Sequence, residues 1–371
     1  MVIITDTTGA TEALKITDLK VTPQLSTVTQ LDFTTWNQED NLIGFNMLSP
    51  RALITVPDTG EQFRLSENDG AVQGQYLQRT VTALAVIQDL NDHLVTSTIT
   101  GWQTLDSCLK LLMTGTQFTY TIHDQINNFN FGTDTFGGDH ALDLFLNTLQ
   151  TDFVFEWTAT NYHIDIYKSM GNQDGFVFVE GSDVYSVSDS SDYTTITTHI
   201  HGEGKHDDND KPVCSADYTS SNSSIYGIID ADAFQDDNIT DANTLKSILP
   251  SKVQDYPLVQ YTATLNLFAK AAPNGFKNSM NIGDWGYLRN RNGIDIKTRI
   301  VGKELYLQST TSESTITFGN LKKDPALITA GLQANHNRDY HDIQKIKNEQ
   351  GTIIKAQSDA PVIVEDGEFD G

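Results

Sequence analysis

Residues 198–210 read THIHGEGKHDDND, three histidines and four carboxylates within thirteen residues. Imidazole and carboxylate are the groups that hold catalytic metals. In TTITTHIHG, alternation puts Thr194, Ile196, Thr198 and Ile200 on one strand face and Thr195, Thr197, His199 and His201 on the other. Two histidines two residues apart on a strand point the same way, roughly 6–7 Å apart along the chain, and that spacing can clamp zinc. HxH is half of the signature of one class of zinc peptidoglycan endopeptidases, which also need an upstream HxxxD. Four residues after His93, His123, His140 and His163 stand Ser97, Asn127, Leu144 and Tyr167, and none is acidic. His206 or Asp207 could supply a third ligand, but a glycine-rich segment holds a rigid catalytic site poorly. The stretch reads as a strand end running into a solvated acidic loop, and no metal ligand is assigned.

Other chemistries fare no better. An EF-hand loop needs D-x-[DN]-x-[DN]-G with Glu in the twelfth place. DDNDKPVCSADY has Lys211 where the third ligand belongs, no glycine, and Tyr218 at the end. Cys108 in LDSCLKLL resembles a hydrolase nucleophile only superficially. Its helical phase groups it with Leu105, Leu109 and Leu112, as a small core residue. Only His123 or His140, brought close by folding, could activate it. Paired carboxylates for glycoside hydrolysis are a non-specific signal in a chain with 49 acidic residues. GTDTFGGDH lacks the Lys-Ser/Thr of a phosphate loop. The residues thus assign no catalytic, cofactor-binding or metal site, and no cofactor.

The elements that would position any site are mostly strands. The 371 residues exceed one ordinary core, and heavy use of Gly, Asn, Thr, Ser and Asp suits short strands joined by turns. Alternating segments at 2–5, 15–22, 42–48, 51–56, 62–65 and 74–84 make residues 1–85 a first β-rich domain. Around residue 86 the period changes. Leu105, Cys108, Leu109 and Leu112 fall at i, i+3, i+4 and i+7 of a helix. A second helix is expected near 140–150, with Ala141, Leu142, Phe145, Leu146 and Leu149 inward. FTYTI follows the first helix, and a hairpin in which Phe153, Phe155 and Trp157 alternate follows the second, turning at Thr160–Asn161 toward Ile164 and Ile166. Residues 86–190 form an α+β domain.

Residues 191–320 return to strands as a second β-rich domain with one helix. In LVQYTATLNLF every second residue is apolar: Val259, Tyr261, Ala263, Leu265 and Leu267. The helix, in ITDANTLKSILPSKV, is expected to start at Thr240 as N-cap and stop at Pro250. Asn292–Gly293 signals a two-residue hairpin. The segment 321–371 is a polar helical stretch, HNRDYHDIQKIKNEQ, leading into an acidic, extended tail. The fold class is α+β, β-rich and multidomain.

Charge sharpens the exclusions. With 24 basic against 49 acidic residues the formal net charge is −25, a surface that repels nucleic-acid phosphates and anionic lipid. Two distant cysteines, Cys108 and Cys214, give neither a disulfide framework nor a CxxC zinc site. No Sec-type signal peptide is visible, and no stretch approaches the roughly 20 apolar residues needed to cross a bilayer. A soluble protein made in the cytoplasm is expected.

Beyond these residues the chain carries an order. After the HGEG turn come VCSADYTSSNSSIYGII, DDNITDANTLKSIL, LVQYTATLNLF, then MNIGDWGYLRNRNGIDIKTRIVGKELYLQSTTSESTITFGN. The tokens ADYTS, YG, IGDWGYL, RIVGKEL and ITFGN in that succession, with the β, α+β, β layout of residues 1–320, resemble the tail-hub proteins of siphophages. These are also called tail-associated lysins or prophage endopeptidase tail proteins, similar in fold to the baseplate hub of contractile-tailed phages. The resemblance implies a homotrimer at the virion tail tip, with two β-barrel-like domains per subunit making six modules around a ring. It implies docking on the distal tail protein, contact with the tape measure protein and with a tail fibre or receptor-binding protein, no membrane in the virion, and DNA only as cargo in transit. Such a hub needs complementary interfaces rather than reactive side chains, and a channel wall that does not bind exiting DNA. About fifty residues follow Asn320, fewer than a typical catalytic domain needs. The endopeptidase label does not carry over, since no residue matches a catalytic motif. The rival readings are a cell-wall hydrolase using His199, His201 and a nearby carboxylate, and a saccharide-binding tip module using exposed aromatics of 86–190.

Overall fold

Alternating burial along short strands builds the first region. In the computed structural model, which describes residues 1–132, 135–207, 211–236, 239–265, 281–307 and 312–319, residues 1–85 form seven strands. They are β1 (Val2–Thr5), β2 (Thr11–Leu14), β3 (Thr17–Thr22), β4 (Gln30–Trp36), β5 (Leu53–Thr55), β6 (Gln62–Gln73) and β7 (Tyr76–Ala85). Val2, Ile4, Leu31, Phe33, Ile54 and Phe63 point into one core. Segment 42–48, read as a strand, is instead the helical turn α1 (Leu42–Asn46). Two contacts explain it. The buried Asn41 amide accepts from the Lys15 N–H at 2.8 Å and donates to the carbonyls of Lys15 and Trp36, so it ends the strand path. Gly44 then lies so close to β2 that a Cβ would sit 2.9 Å from the Ala13 carbonyl oxygen. Strands β2 and β4 lie outside the ranges expected for this region. The β6–β7 hairpin also runs further than expected, because its polar outer half keeps strand pairing out to Gln73 opposite Tyr76.

The α+β region follows. Its elements are β8 (Thr98–Ile99), β9 (Trp102–Gln103), α2 (Leu105–Met113), β10 (Thr119–Ile122), β11 (Phe129–Asn130), β12 (Phe136–Gly137), α3 (Ala141–Asp143), α4 (Gln150–Phe153), β13 (Glu156–Thr160) and β14 (His163–Tyr167). Thr104 caps α2 in a capping box with Ser107, and Leu105, Cys108, Leu109 and Leu112 are all buried, as the period requires. Between α3 and α4 the chain makes a π-helical stretch, Leu144–Leu149. That wider turn brings Leu144 inward beside Phe145 and leaves Leu146 only half-buried, which a 3.6-residue period does not anticipate. Phe153 closes the helix rather than opening the hairpin, since Val154 turns left-handed at φ 50°. Strand β14 pairs antiparallel with β13 and parallel with β10.

The remaining strands are β15 (Phe176–Val179), β16 (Val184–Asp192), β17 (His199–Glu203), β18 (Ser215–Thr219), β19 (Phe234–Gln235), β20 (Leu258–Leu265), β21 (Trp285–Arg289), β22 (Asp295–Tyr306) and β23 (Thr315–Gly319). Thirteen strands share one sheet, whose main path runs β16-β20-β23-β22-β3-β4-β7-β6-β5-β1-β2. Pairing of β22 with β3, Leu305 opposite Val21 and Tyr306 opposite Lys20, therefore continues the N-terminal strands into the later ones. Val259 and Tyr261 are half-buried while Ala263 and Leu265 reach the core; Leu267 lies outside the described residues, as does all of 321–371. The turn at Asn292–Gly293 is longer than two residues: the Asn290 N–H donates to the Ile294 carbonyl, and the Asn290 side-chain oxygen accepts from the N–H groups of Asn292 and Ile294.

Strands β16 and β20 pair with each other, so the chain between them is an insertion. It folds as a separate lobe over roughly 197–256, with the small sheet β18-β17-β19, a turn α5 (Ser223–Tyr226) and the helix α6 (Ala242–Ile248). Asp241, not Thr240, caps α6: its carboxylate accepts from the Thr244 N–H at 2.8 Å, while Asp241 itself keeps the extended backbone a cap needs. Elsewhere the α+β region is stapled to the later strands. Arg299 donates to both Glu156 oxygens at 2.6 Å and to the Met170 and Gly283 carbonyls. Removing either partner of such a half-desolvated pair costs about 3 kcal/mol or more. Beside it Gly171 crosses Gly283 so tightly that a Cβ would lie 2.1 Å from the carbonyl carbon.

Candidate functional site

Strand β17 carries the residues with the richest chemistry. Ile200 is buried in the lobe core, whereas His199, His201 and Glu203 line the outer face. Register brings a carboxylate from β18 directly opposite, His201 against Asp217. His201 Nδ1 lies 2.7 Å from Asp217 Oδ1 and its Nε2 lies 3.4 Å from Glu203 Oε1. His199 Nδ1 lies 2.7 Å from Asp230 Oδ1, with its Nε2 4.0 Å from Asp217. His206 Nε2 faces the other Glu203 oxygen at 3.3 Å. The result is a chain in space, Asp230–His199–Asp217–His201–Glu203–His206. Hydrogen bonding to Asp217 raises the His201 pKa above the ordinary imidazole value, opposed by burial and helped by a weaker bond to Glu203.

This arrangement is a row rather than a cage. Imidazoles and carboxylates alternate along it, and among the described residues no three His, Cys, Asp or Glu side chains converge as metal ligands do. Asp207, a possible third ligand by sequence, instead accepts from the Lys211 N–H within its own loop. Residues 208–210 of the acidic run lie outside the described residues. Asp217 and Asp230, which complete the row, were not singled out by sequence. The alternation in SADYT could have hinted at Asp217, but only the strand register pairs it with His201.

Cys108 sits fully buried in the α+β core, and burial pushes its thiol up to about 11. A nucleophile needs the thiolate. The two histidines that could have activated it are engaged elsewhere. His123 Nε2 lies 2.7 Å from Asp165 and its ring stacks on Tyr167, while His140 Nδ1 meets the Asn91 carbonyl at 2.6 Å. His163 shares Asp165 at 3.5 Å, making a second, smaller imidazole–carboxylate group on the outer face of β14.

Apolar exposure is concentrated beside the first row. Ile225 and Ile228 are 71% and 73% exposed, with Tyr226 and Ile229 also exposed, in the loop that ends at Asp230. Trp102 stands exposed at the α+β surface. No described helix is long and apolar enough to cross a membrane.

The model of the prophage endopeptidase tail family matches residues 172–328, and that of the family's N-terminal domain matches residues 2–85. Among solved structures, the chain is similar to prophage tail protein gp18 from Listeria monocytogenes, with 20% identity, 90% of this chain and 98% of that chain covered, and a TM-score of 0.66. The 43 kDa tail protein of prophage MuSo2 from Shewanella oneidensis aligns with 13% identity over 86% of this chain and 97% of its own, TM-score 0.63. A tail protein from Neisseria meningitidis aligns with 12% identity over 86% and 96%, TM-score 0.57. At these identities the likeness concerns the fold. No curated protein matches the sequence.

Proposed function

The chain belongs to the prophage endopeptidase tail family and is a phage tail component, and from that premise we propose that it is the tail hub of a siphophage virion. Three copies form a ring that closes the tail tube, docks onto the distal tail protein, and meets the tape measure protein and the fibre or receptor-binding protein. In this reading residues 1–85 and 191–320 are two barrel-like tube modules, and 86–190 closes or projects from the tip. Receptor or wall contact shifts the trimer, and DNA passes.

The observation that carries the reading is the β3–β22 ladder, which makes the N-terminal and later strands one sheet. A subunit that presents two β-modules as one plate can supply six positions from three copies. The net charge of −25 suits a wall that leaves DNA unbound. In this reading the role is structural: each imidazole of the row is tied to a carboxylate and the one fully buried thiol is held protonated.

Mass in solution and particle symmetry test it together. A trimer, and a threefold ring with a hole near the width of a duplex, are the expected results; a lone subunit in solution and in the particle would overturn the hub. Tips imaged before and after DNA ejection should differ, and identical tips would remove the opening step. Clearing of purified cell walls by the protein, abolished by chelator or by His201→Ala, would replace the structural role with the hydrolase.

A further inference from the structure

His201 has a carboxylate oxygen within hydrogen-bond distance of each ring nitrogen, at 2.7 and 3.4 Å. A neutral imidazole carries one N–H and one lone pair, so one of its nitrogens would direct a lone pair at an anion. Only the imidazolium donates to both. The groups facing the row are Asp217 from β18, Asp230 from the end of the apolar loop, Glu203 and His199 from β17 itself, and His206 from the segment after it. No lysine or arginine among the described residues pairs with Asp217, Asp230 or Glu203. Three carboxylates are thus held beside one another by imidazoles alone.

The lobe beneath has a small core. Among the described residues its buried apolar side chains are Ile200, Ala216, Ile239, Leu245 and Leu249, with six half-buried ones packed against them, against twenty-one buried in the α+β unit. A core that small leaves a fold marginal. The exposed loop is seated on the same strand: the Ile229 carbonyl accepts from the N–H groups of Thr198 and His199, and the Ala231 N–H donates to the His199 carbonyl. His199 pairs with Asp230 at that point.

We infer that the lobe 197–256 is a proton-gated unit, clasped while His201 is an imidazolium between Asp217 and Glu203, and released, with its apolar loop 223–230, when that proton leaves. The direction follows from the raised pKa of His201. The stabilisation is complete at pH values below the ordinary histidine pKa and is lost as pH rises through the elevated one. The gate does not depend on the hub assignment, since it concerns contacts within one chain.

Hydrogen exchange on the full-length protein tests the gate, comparing about pH 6 with about pH 9 after correction for the intrinsic rate. Peptides over 199–231 should exchange about two- to tenfold faster at the higher pH, the range open to half-exposed ionic contacts, while peptides over α2 hold constant. In His201→Gln the lobe should exchange at the fast rate at both pH values. Lobe protection that is equal at the two pH values in the unaltered protein overturns the gate, whether or not the variant folds. So does a variant that keeps the full pH response.

Discussion

The α+β unit and the lobe 197–256 each set histidines and an aspartate on the outer face of a short strand, yet those residues do different work. In the first, His123, His163 and Asp165 decorate a sheet whose other face packs Trp157, Ile164 and Ile166 into an aromatic-rich core. Ring contacts there include Phe145 with Trp157 at 5.3 Å and with Phe155 at 5.7 Å. Burial of that kind contributes several kcal/mol without help from charge. In the lobe the same residue types tie β17 to β18 and to the apolar loop, over a core of five buried side chains. What an imidazole–carboxylate pair does is set by how much hydrophobic core lies under it.

The two cysteines fall one in each region and make the difference measurable. Cys108 is fully buried beside Leu109, whereas Cys214 is partly exposed at the edge of the lobe core, its Sγ 3.6 Å from the Ile239 carbonyl. A soluble thiol reagent should label Cys214 through lobe opening and Cys108 only through global unfolding. If the two openings differ by about 4 kcal/mol, within the spread common inside one protein, the labelling rates differ by about a thousandfold. Equal rates, read by mass spectrometry of the labelled peptides, would merge the two regions into one cooperative unit. Cys108 also sets an alkaline limit for its region. The folded thiol keeps its proton to about 11 whereas the unfolded chain gives it up earlier, so stability is lost as pH rises between those values.

Truncation of each core comes next in size. Phe145→Ala removes a fully buried ring and should cost about 4 kcal/mol, lowering the main thermal transition. Leu245→Ala removes a fully buried side chain from the lobe and should cost about 2–3 kcal/mol. Its effect should stay local: faster exchange over 199–256, with the main transition in place. A Leu245→Ala protein whose whole fold melts earlier by as much as Phe145→Ala would break the distinction.

Much of the α+β unit was legible in the sequence, because its elements are local. The i, i+3, i+4, i+7 pattern of Leu105, Cys108, Leu109 and Leu112 needs no partner to be read. The hairpin from Trp157 to Ile166 was equally legible. Segment 42–48 was misread because its fate is settled by contacts with Lys15 and Ala13, distant in the chain. The π-helical stretch at Leu144–Leu149 adds Leu144 to the inward face expected from Ala141, Leu142, Phe145, Leu146 and Leu149, and no composition signals it. For the imidazole row, alternation placed His199 and His201 on one face correctly. Their partners Asp217 and Asp230 came from a strand register and a loop, neither of which sequence periodicity encodes. That β16 and β20 flank an insertion was hidden for the same reason.

Helix caps provide the finest probe of the contrast. Thr104 caps α2 on the large core and Asp241 caps α6 on the small one. Thr104→Ala should cost about 1 kcal/mol, visible as a small fall in the main transition at any pH. Asp241→Ala acts where the cap is a charge. Hydrogen bonds from the Thr244 N–H and hydroxyl hold the Asp241 pKa below the usual carboxylate value. Its contribution is therefore present at neutral pH and lost as pH falls through that lowered value. His201 runs the other way, lost as pH rises. Lobe protection should then pass through a maximum between the two titrations. Asp241→Ala should lower that maximum and weaken the acid limb, while the alkaline limb set by His201 persists. An acid limb unchanged in Asp241→Ala would take the cap out of the acid response of the lobe.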